Sequence, residues 1–250
     1  RHVTAEPMLS RIHTHLLADD IGHGELIGSV SVVADILRAS STIITALSQG
    51  ARAVIPCLTV EEANATAAHS SDILRGGERH GTLVDGFDLS NSPTDYRTAQ
   101  LSGRSVAFTT TNGTRALLGS QEADRVFVGC FLNLGCLERR LRSFHCPLHI
   151  ICAGTNGRVT GEDVLFAGAL TRRIVDSGHT SPILTDVTAI ALGFFDANRG
   201  SSLTQRLQAT RGGRNLTELG LEADISFAAQ TDTIPLIAEY FPAEKRITAA

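Results

Sequence analysis

Short apolar runs rich in β-branched residues alternate along the chain with stretches of helical periodicity. Five runs have the pattern of strands buried on both faces: residues 30–36, 52–58, 105–110, 125–129 and 148–153. Helical spacing of apolar residues follows at 40–49, 60–68, 114–118, 134–142 and 163–175. This alternation predicts an α/β fold, with helices on both sides of a largely parallel sheet.

The pattern changes towards the end of the chain. From about residue 186 to residue 228 it is mainly helical, with breaks expected at 199–202 and 211–213. Residues 1–28 are weakly patterned and receive no element. The 250 residues, 42% of them apolar, are enough to bury a substantial core. We expect one domain over 1–250, with the helical part capping the sheet or forming a smaller lobe.

Charge and composition narrow the range of possible functions. The net charge is −4, and no dense basic run is present, so the footprint of a nucleic-acid binder is missing. No apolar stretch approaches the ~18 residues of a membrane span. Residues 1–10 lack the apolar core of a secretion signal. These features predict a cytoplasmic protein with a small charged ligand and no nucleic-acid or membrane partner. A homo-oligomer is compatible with this class, but nothing specifies its order.

Glycine-rich polar stretches lie between or just after the predicted strands, at 76–79, 111–113 and 153–157. In open α/β sheets, such turns form the ligand crevice at the ends of the strands. We therefore expect the candidate site residues to come from these turns.

The first candidate segment follows the run 30–36. Asp35 comes directly after buried apolar residues, where a charge is costly unless it has a partner, and a carboxylate there suits Mg²⁺. Arg38 and the following helix start are suited to an anion. The hydroxyl-rich helix adds three candidate substrate-binding residues: Ser40, Ser41 and Thr42. In the alternative interpretation, a serine caps the helix and Asp35 supports the turn.

The second segment begins with the pair Gly76-Gly77, which permits close backbone approach beside Glu78 and Arg79. It is equally explained as a surface turn with a Glu–Arg ion pair. Downstream, Asp88 is a candidate metal ligand or a turn cap. Two further candidate substrate-binding residues follow it: Asn91 and Ser92.

The third segment runs from a strand into a helix through hydroxyls and a glycine. Free N–H groups at a helix start point towards an anion, and neighbouring hydroxyls and a guanidinium complete a phosphate or sulfonate cradle. The segment is neither a Walker A loop nor G-x-G-x-x-G, so no nucleotide is implied. An ordinary helix cap is the alternative. The candidates are Thr110, Thr111, Asn112, Gly113, Thr114 and Arg115.

The fourth segment has the spacing C-x₅-R from Cys152 to Arg158, with two candidate substrate-binding residues between them, Gly154 and Thr155. Cysteine phosphatases place an attacking thiolate in such a loop, so Cys152 is a rival nucleophile. The same spacing from Cys136 to Arg142 lies in a predicted amphipathic helix, which shows how loose the motif is. Cys152 is equally explained as a small residue finishing a buried strand. Downstream, Glu162 and Asp163 suit a helix dipole, and Asp163 is also a candidate metal ligand.

Two histidine pairs have ligand-like spacing, His13 with His15 and His145 with His149. Pro147 and the strand after it argue against the helix that an i, i+4 metal pair requires. We therefore predict no transition-metal site.

Together, the segments resemble the 2-phosphosulfolactate phosphatase family. The matching stretches, in chain order, are VVADILRASSTI, LRGGERHG, GFDLSNSP, FTTTNGTRAL, ICAGTNGRVTGEDVLFAGAL and GRNLTELGLEADI. They span about residues 32–225. The resemblance implies a Mg²⁺-dependent phosphatase of coenzyme M biosynthesis that releases sulfolactate and phosphate. It also implies a three-layer α/β/α fold with a largely parallel or mixed sheet.

Our mechanistic hypothesis from the residues and the resemblance together is that Mg²⁺, held by Asp35 with Glu78 or Asp88, neutralises the phosphoryl oxygens. Arginines would clamp the acid end of the substrate; the candidates are Arg38, Arg79 and Arg115, with Arg158 and Arg214 as further ones. The nucleophile is either water or a side chain. A hypothesis from another class is a binding module that senses a phosphorylated metabolite without catalysis.

Overall fold

Strands and helices alternate along most of the chain. The computed structural model describes residues 9–250. The strands are β1 (Arg11–His15), β2 (Val30–Ala34), β3 (Ala53–Cys57), β4 (Ile73–Arg79), β5 (Thr82–Leu83), β6 (Ser105–Thr109), β7 (Arg125–Val128), β8 (Leu148–Cys152), β9 (Ile183–Leu184), β10 (Ala238–Phe241) and β11 (Arg246–Ala249). The helices are α1 (Ala39–Ser48), α2 (Val60–Ala68), α3 (Pro93–Thr98), α4 (Gly113–Gly119), α5 (Leu134–Leu141), α6 (Gly161–Asp176), α7 (Asp186–Ala197), α8 (Leu203–Gln208), α9 (Arg211–Glu218) and α10 (Glu222–Ala228).

The five strands and five helices predicted from the apolar pattern are confirmed within a few residues as β2, β3, β6, β7, β8 and α1, α2, α4, α5, α6. Every residue of β2, β6 and β8 is buried, so both faces of the sheet are covered where these strands run. Helices on both faces give the expected three-layer α/β arrangement.

The sheet is mixed. Its strand order is β5-β4-β6-β3-β11-β10-β7-β2-β8-β1-β9. Parallel pairing joins β4, β6 and β3 on one side and β7, β2, β8, β1 and β9 on the other. The hairpin β10–β11 lies between these two halves and pairs antiparallel with β7 and β3. The last strands of the chain therefore fill the middle of the sheet.

The apolar pattern did not predict β1, β4, β5, β9, β10 or β11. The hairpin β10–β11 is short and carries charged residues, so its sequence lacks the continuous apolar run by which the other strands were predicted. Glu239 of β10 is buried, and it is compensated by a bidentate ion pair with Arg125 of β7. Because this charge is neutralised only in the folded sheet, the local sequence gives a weak strand signal.

Two expected breaks are corrected by the structure. The glycine pair at 76–77 is not a surface turn but part of β4. Cβ atoms there would overlap Tyr96 at Gly76 and the carbonyl oxygen of Thr109 at Gly77, so only glycine fits. Residues 211–213 do not interrupt the helical part either. They open α9, because the Thr210 hydroxyl accepts a hydrogen bond from the N–H of Gly213.

The helical part from 186 to 228 is confirmed as α7 to α10, with a non-helical stretch at 199–202. It packs onto the rest of the chain through α6 with α7 and through α3 with α10. The single domain over 1–250 stays a prediction. Within residues 9–250, no helix is both long and apolar enough to cross a membrane. Most of the stretch used to argue against a secretion signal, residues 1–8, lies outside the described residues.

We predict that Gly77→Ala destabilises the protein by more than about 2 kcal/mol. The new methyl group would overlap Thr109 where β4 pairs with β6, and the φ of +141° adds strain. Gly103→Ala is the matched control, since its φ is also positive (+74°) but its side chain would meet open space. Urea unfolding of both variants measures the difference, and equal losses would contradict the role of close strand approach.

Candidate active site

A polar cavity of about 390 Å³ opens where several strand ends meet. Its walls come from the segments after β2, β6 and β8, from the end of β4 and from α9. The lining residues are Asp35, Leu37, Arg38, Glu78, His80, Gly81, Asn91, Thr110, Thr111, Asn112, Thr155, Asn156, Gly212, Asn215, Leu216, Glu218 and Leu219. In the strand order, four strands separate β2 from β6. Residues that follow strands from both parallel halves of the sheet therefore line the same cavity.

Asp35 lies at the end of β2 with its carboxyl group turned into the start of α1. Its Oδ1 accepts a hydrogen bond from the N–H of Ala39 at 3.2 Å. Burial, with the nearby Glu78 and Glu162 carboxylates, raises the pKa of Asp35 to about 7 against the opposing effects of the Ala39 hydrogen bond and Arg38. A carboxyl group in this state is half-ionised near neutral pH and gains from a cation placed beside it.

Glu78 is held by the loops around it. Its Oε1 accepts from both the N–H and the hydroxyl of Thr111 at 2.9 Å, and its Oε2 accepts from the N–H of Gly81 at 2.8 Å. These bonds satisfy a carboxylate that is only 7% exposed and fix it in the cavity wall. Glu78 thus ties β4 to the loop after β6.

Arg38 is the arginine of the cavity lining. Its Nη1 donates to Asp224 at 2.8 Å, and its Nη2 donates to the carbonyl of Gly81 at 2.7 Å. The other Asp224 oxygen accepts from the Ser92 hydroxyl at 2.5 Å. A guanidinium has five N–H groups, so this fixation leaves donors for a ligand. Asp224 was missed as a site residue although it lies within the matching stretch GRNLTELGLEADI.

The threonine loop after β6 forms the wall opposite α9. Thr110, Thr111 and Asn112 line the cavity; their role as an anion cradle stays a prediction. Thr114 does not line it; its hydroxyl lies 3.3 Å from the Thr110 hydroxyl. Gly113 lets α4 approach the acid, because a Cβ there would lie 2.8 Å from Asp35 Oδ2. Its role is close packing and not ligand contact.

The loop after β8 contributes Thr155 and Asn156 to the lining. Asp163 holds this loop against β2, since its Oδ1 accepts from Ile36 N–H and its Oδ2 from Gly154 N–H, both at 2.9 Å. Burial, with the Glu162 and Asp35 carboxylates, raises the pKa of Asp163 well above its usual value. Asp163 and Gly154 lie outside the lining, so the geometry gives them a supporting role and not the ligand roles predicted.

Cys152 is 1% exposed and also lies outside the lining. Burial and the neighbouring Asp163 and Glu162 carboxylates raise the pKa of its thiol well above the usual value. An attacking thiolate needs the opposite environment, with a lowered pKa and access to substrate. The geometry matches the alternative interpretation, a small residue finishing a buried strand.

Several other expected site residues are placed elsewhere. Asp88 accepts from the backbone and side chain of Arg75 at 2.8 and 3.3 Å, in a different surface depression from Asp35. Arg79 donates to Glu78 O and Thr109 Oγ1 and lies outside the lining. Three further candidate arginines are exposed and lie outside the lining: Arg115, Arg158 and Arg214.

The serines and threonine of α1 are also not in the lining. The Ser40 hydroxyl accepts from Asp35 N–H at 2.9 Å, which ties α1 to the end of β2; it does not cap the helix, whose N-cap residue Arg38 makes no side-chain cap hydrogen bond. Ser41 donates to the Ile36 carbonyl and Thr42 to the Asn91 carbonyl, each at 2.9 Å. They hold the turn that presents Asp35. Ser92 is also outside the lining; it donates a hydrogen bond to Asp224, which in turn accepts one from Arg38.

Sequence reasoning missed part of the lining and one buried acid behind it. His80, Asn156, Asn215 and Glu218 line the cavity. All four lie within the stretches that match the family, and this position in the sequence was the signal that could have identified them. Glu162 lies behind Gly212, where a Cβ would overlap its Oε1. Within residues 9–250, its buried Oε2 has no hydrogen-bond partner.

The residues present fit a hard cation. The lining supplies carboxylate, hydroxyl and amide oxygens, the donor types that Mg²⁺ takes. In the described part of the chain, the buried Asn91 Oδ1 has no hydrogen-bond partner. The lining also carries three carboxyl groups, those of Asp35, Glu78 and Glu218, against one guanidinium. A cation would relieve this excess of negative charge.

Fold and cavity together define a three-layer α/β protein with an acid-lined polar pocket at its strand ends. Residues 16–241 match the family model described as 2-phosphosulpholactate phosphatase. The chain therefore belongs to this family.

Three curated relatives support the assignment, each bearing the name "Probable 2-phosphosulfolactate phosphatase". The protein of Symbiobacterium thermophilum is 40% identical over 85% of this chain and 91% of its own. That of Clostridium beijerinckii is 37% identical over 92% and 96%. That of Pseudothermotoga lettingae is 39% identical over 83% and 88%. The similarity covers nearly the whole length of each relative.

We predict a pH-dependent stability difference between the wild type and Asp35→Asn in EDTA. The folded pKa of Asp35 is about 7 against 3.8 for the free group, so its favourable contribution is complete below pH 3.8 and is lost as pH rises through 7. Asparagine does not titrate. The stability of the variant relative to the wild type should therefore rise between pH 4 and 7, measured by urea unfolding.

Asp88→Asn is the control with the opposite sign. Hydrogen bonds from Arg75 outweigh its partial burial and lower the pKa of Asp88, so this variant should lose relative stability as pH rises through the acid range. A parallel response of the two variants would contradict the buried environment assigned to Asp35.

Proposed function

We propose that the protein is a Mg²⁺-dependent phosphatase that hydrolyses 2-phosphosulfolactate, or a similar small phosphorylated hydroxy acid, to the hydroxy acid and phosphate. The relatives' names support the substrate class. The observation that carries the metal requirement is the charge of the cavity, where three carboxyl groups oppose one guanidinium. A substrate with phosphate, sulfonate and carboxylate groups would be repelled from this wall without an added cation.

In this proposal Asp35 and Glu78 hold Mg²⁺, with Asn91 and the threonine loop as neutral oxygen donors. Bound there, Mg²⁺ supplies charge neutralisation at the phosphoryl oxygens. Arg38 binds an acidic group of the substrate through its remaining N–H groups, and Asp224 and Gly81 keep it in place. A cavity of about 390 Å³ lies at the small end of the range for ligand pockets.

We propose water as the nucleophile. Among the described residues that line the cavity there is no cysteine, and Cys152 is buried beside two carboxylates. The lining carboxyl groups and His80 are the acceptors available for a proton from water. Cytoplasmic location, a role in coenzyme M biosynthesis and the absence of a nucleic-acid partner stay predictions from the sequence.

The test is phosphate release from 2-phosphosulfolactate, with Mg²⁺ or with EDTA. We expect release only with Mg²⁺ and a fall in kcat/KM of about 100-fold or more in Asp35→Asn, since several kcal/mol of transition-state stabilisation would be lost. Asp88→Asn is the matched control and should keep wild-type turnover, because Asp88 lies in another depression.

Three results would contradict the proposal. Release that persists in EDTA and disappears in Cys152→Ser would restore the cysteine mechanism. Equal losses of kcat/KM in Asp35→Asn and Asp88→Asn would contradict the assignment of the cavity as the active site. Ligand binding without turnover by the wild type would favour the binding module.

A further inference from the structure

A second cluster of ligand-type side chains lies on the sheet face around β1 and β8. His13 of β1 is in register with His149 of β8, and His15 lies two residues further along β1 on the same face. The rings of His13 and His149 are stacked, with centroids 4.4 Å apart and planes within 5°. Parallel strand pairing thus places His13 and His15, one of the two histidine pairs noted in the sequence, beside His149 of the other pair.

The loop before β2 adds a carboxylate to these rings. Glu25 is fixed by a hydrogen bond of 2.8 Å from Gly22 N–H to its Oε2. One ligand atom each from His13, His149 and Glu25 lies within 4.8 Å of the other two. Tetrahedral zinc with bonds of about 2.1 Å needs ligand atoms about 3.4 Å apart, so the side chains must draw together and the stacked rings must rotate until their nitrogens converge on the ion.

A hydrogen bond between two of the rings completes the geometry of the cluster. His15 Nε2 lies 2.9 Å from His149 Nδ1. Metal-bound histidines use such a hydrogen bond on their second nitrogen to fix ring orientation.

One unsatisfied polar group accompanies the cluster. Ser31 of β2 is the register partner of His149 on the side away from β1, and its side chain is fully buried. Over residues 9–250, its hydroxyl has no hydrogen-bond partner. Because Ser31 and His149 are register partners, their side chains lie on the same face of the sheet, so this unpaired hydroxyl is a further polar group on the face that carries the cluster.

We propose that His13, His149 and Glu25 form a binding site for a divalent transition-metal ion of the zinc type, with His15 as the residue that positions His149. Two imidazoles and one carboxylate are a donor set that zinc takes with a fourth position left to water. None of the three lines the cavity around Asp35, whose oxygen donors suit a harder cation. The expectation of no transition-metal site assumed that the pair needed a helix, and here strand pairing brings the ligands together.

The test is titration of the metal-free protein with Co²⁺, followed by visible absorption, with excess Mg²⁺ present to occupy oxygen-donor sites. We expect one tetrahedral Co²⁺ per chain that Zn²⁺ displaces. His13→Gln and the more exposed Glu25→Gln should weaken binding about tenfold or more. Zn²⁺ should raise the Tm of the wild type more than that of either variant, because it binds the folded state.

Two matched controls separate this site from the rest of the chain. His145→Gln removes an exposed histidine outside the cluster, and Asp35→Asn alters the candidate active site; both should bind Co²⁺ as the wild type does. Circular dichroism checks that each variant is folded. Absence of tetrahedral bands in the wild type, wild-type affinity in folded His13→Gln and Glu25→Gln, or loss of the bands in Asp35→Asn would each overturn the proposal.

Discussion

The burial of the Asp35 carboxyl group is the constraint on which the rest of the pocket depends. Four segments converge on it: α1 through the Ala39 N–H, α4 through the close approach of Gly113, β4 through Glu78, and α6 through Asp163 and Glu162. Carboxyl groups gathered out of water repel one another and raise each other's pKa. The surrounding backbone N–H groups satisfy them only in part, so the folded chain keeps a concentration of negative charge that a bound cation would neutralise.

The shape of the sheet makes this convergence possible. The parallel halves of the sheet are separated by the hairpin β10–β11, whose buried Glu239 is compensated by Arg125. Residues after β2 and after β6 line one cavity although four strands lie between them in the sheet. Arg38 is placed by Asp224 from α10, which ties the helical part of the chain to the pocket. The C-terminal quarter thus contributes both to the centre of the sheet and to the wall of the site.

The sequence predicted the elements with strong local patterns and the residues whose chemistry is unusual for their position. Continuous apolar runs identified β2, β3, β6, β7 and β8, and an acid directly after such a run identified Asp35. Local patterns failed where tertiary contacts decide. The pair Gly76-Gly77 signals a turn by itself, yet it forms strand β4 because Tyr96 and Thr109 lie against it. Arg115 and Asp88 have suitable chemistry but point elsewhere, and spacing alone does not encode side-chain direction. His13 and His149, far apart in sequence, meet through strand register.

The central claim is that Asp35 and Glu78 hold a divalent cation and that Arg38 binds an anion beside it. The most direct measurement is a crystal structure with Mn²⁺ in place of Mg²⁺ and with phosphate, using the anomalous signal of manganese to locate the ion. Our account predicts an anomalous peak at about 2.2 Å from the Asp35 carboxylate, with phosphate between the ion and Arg38. A peak at Asp88 with none in the cavity, or phosphate bound at Cys152, would contradict it.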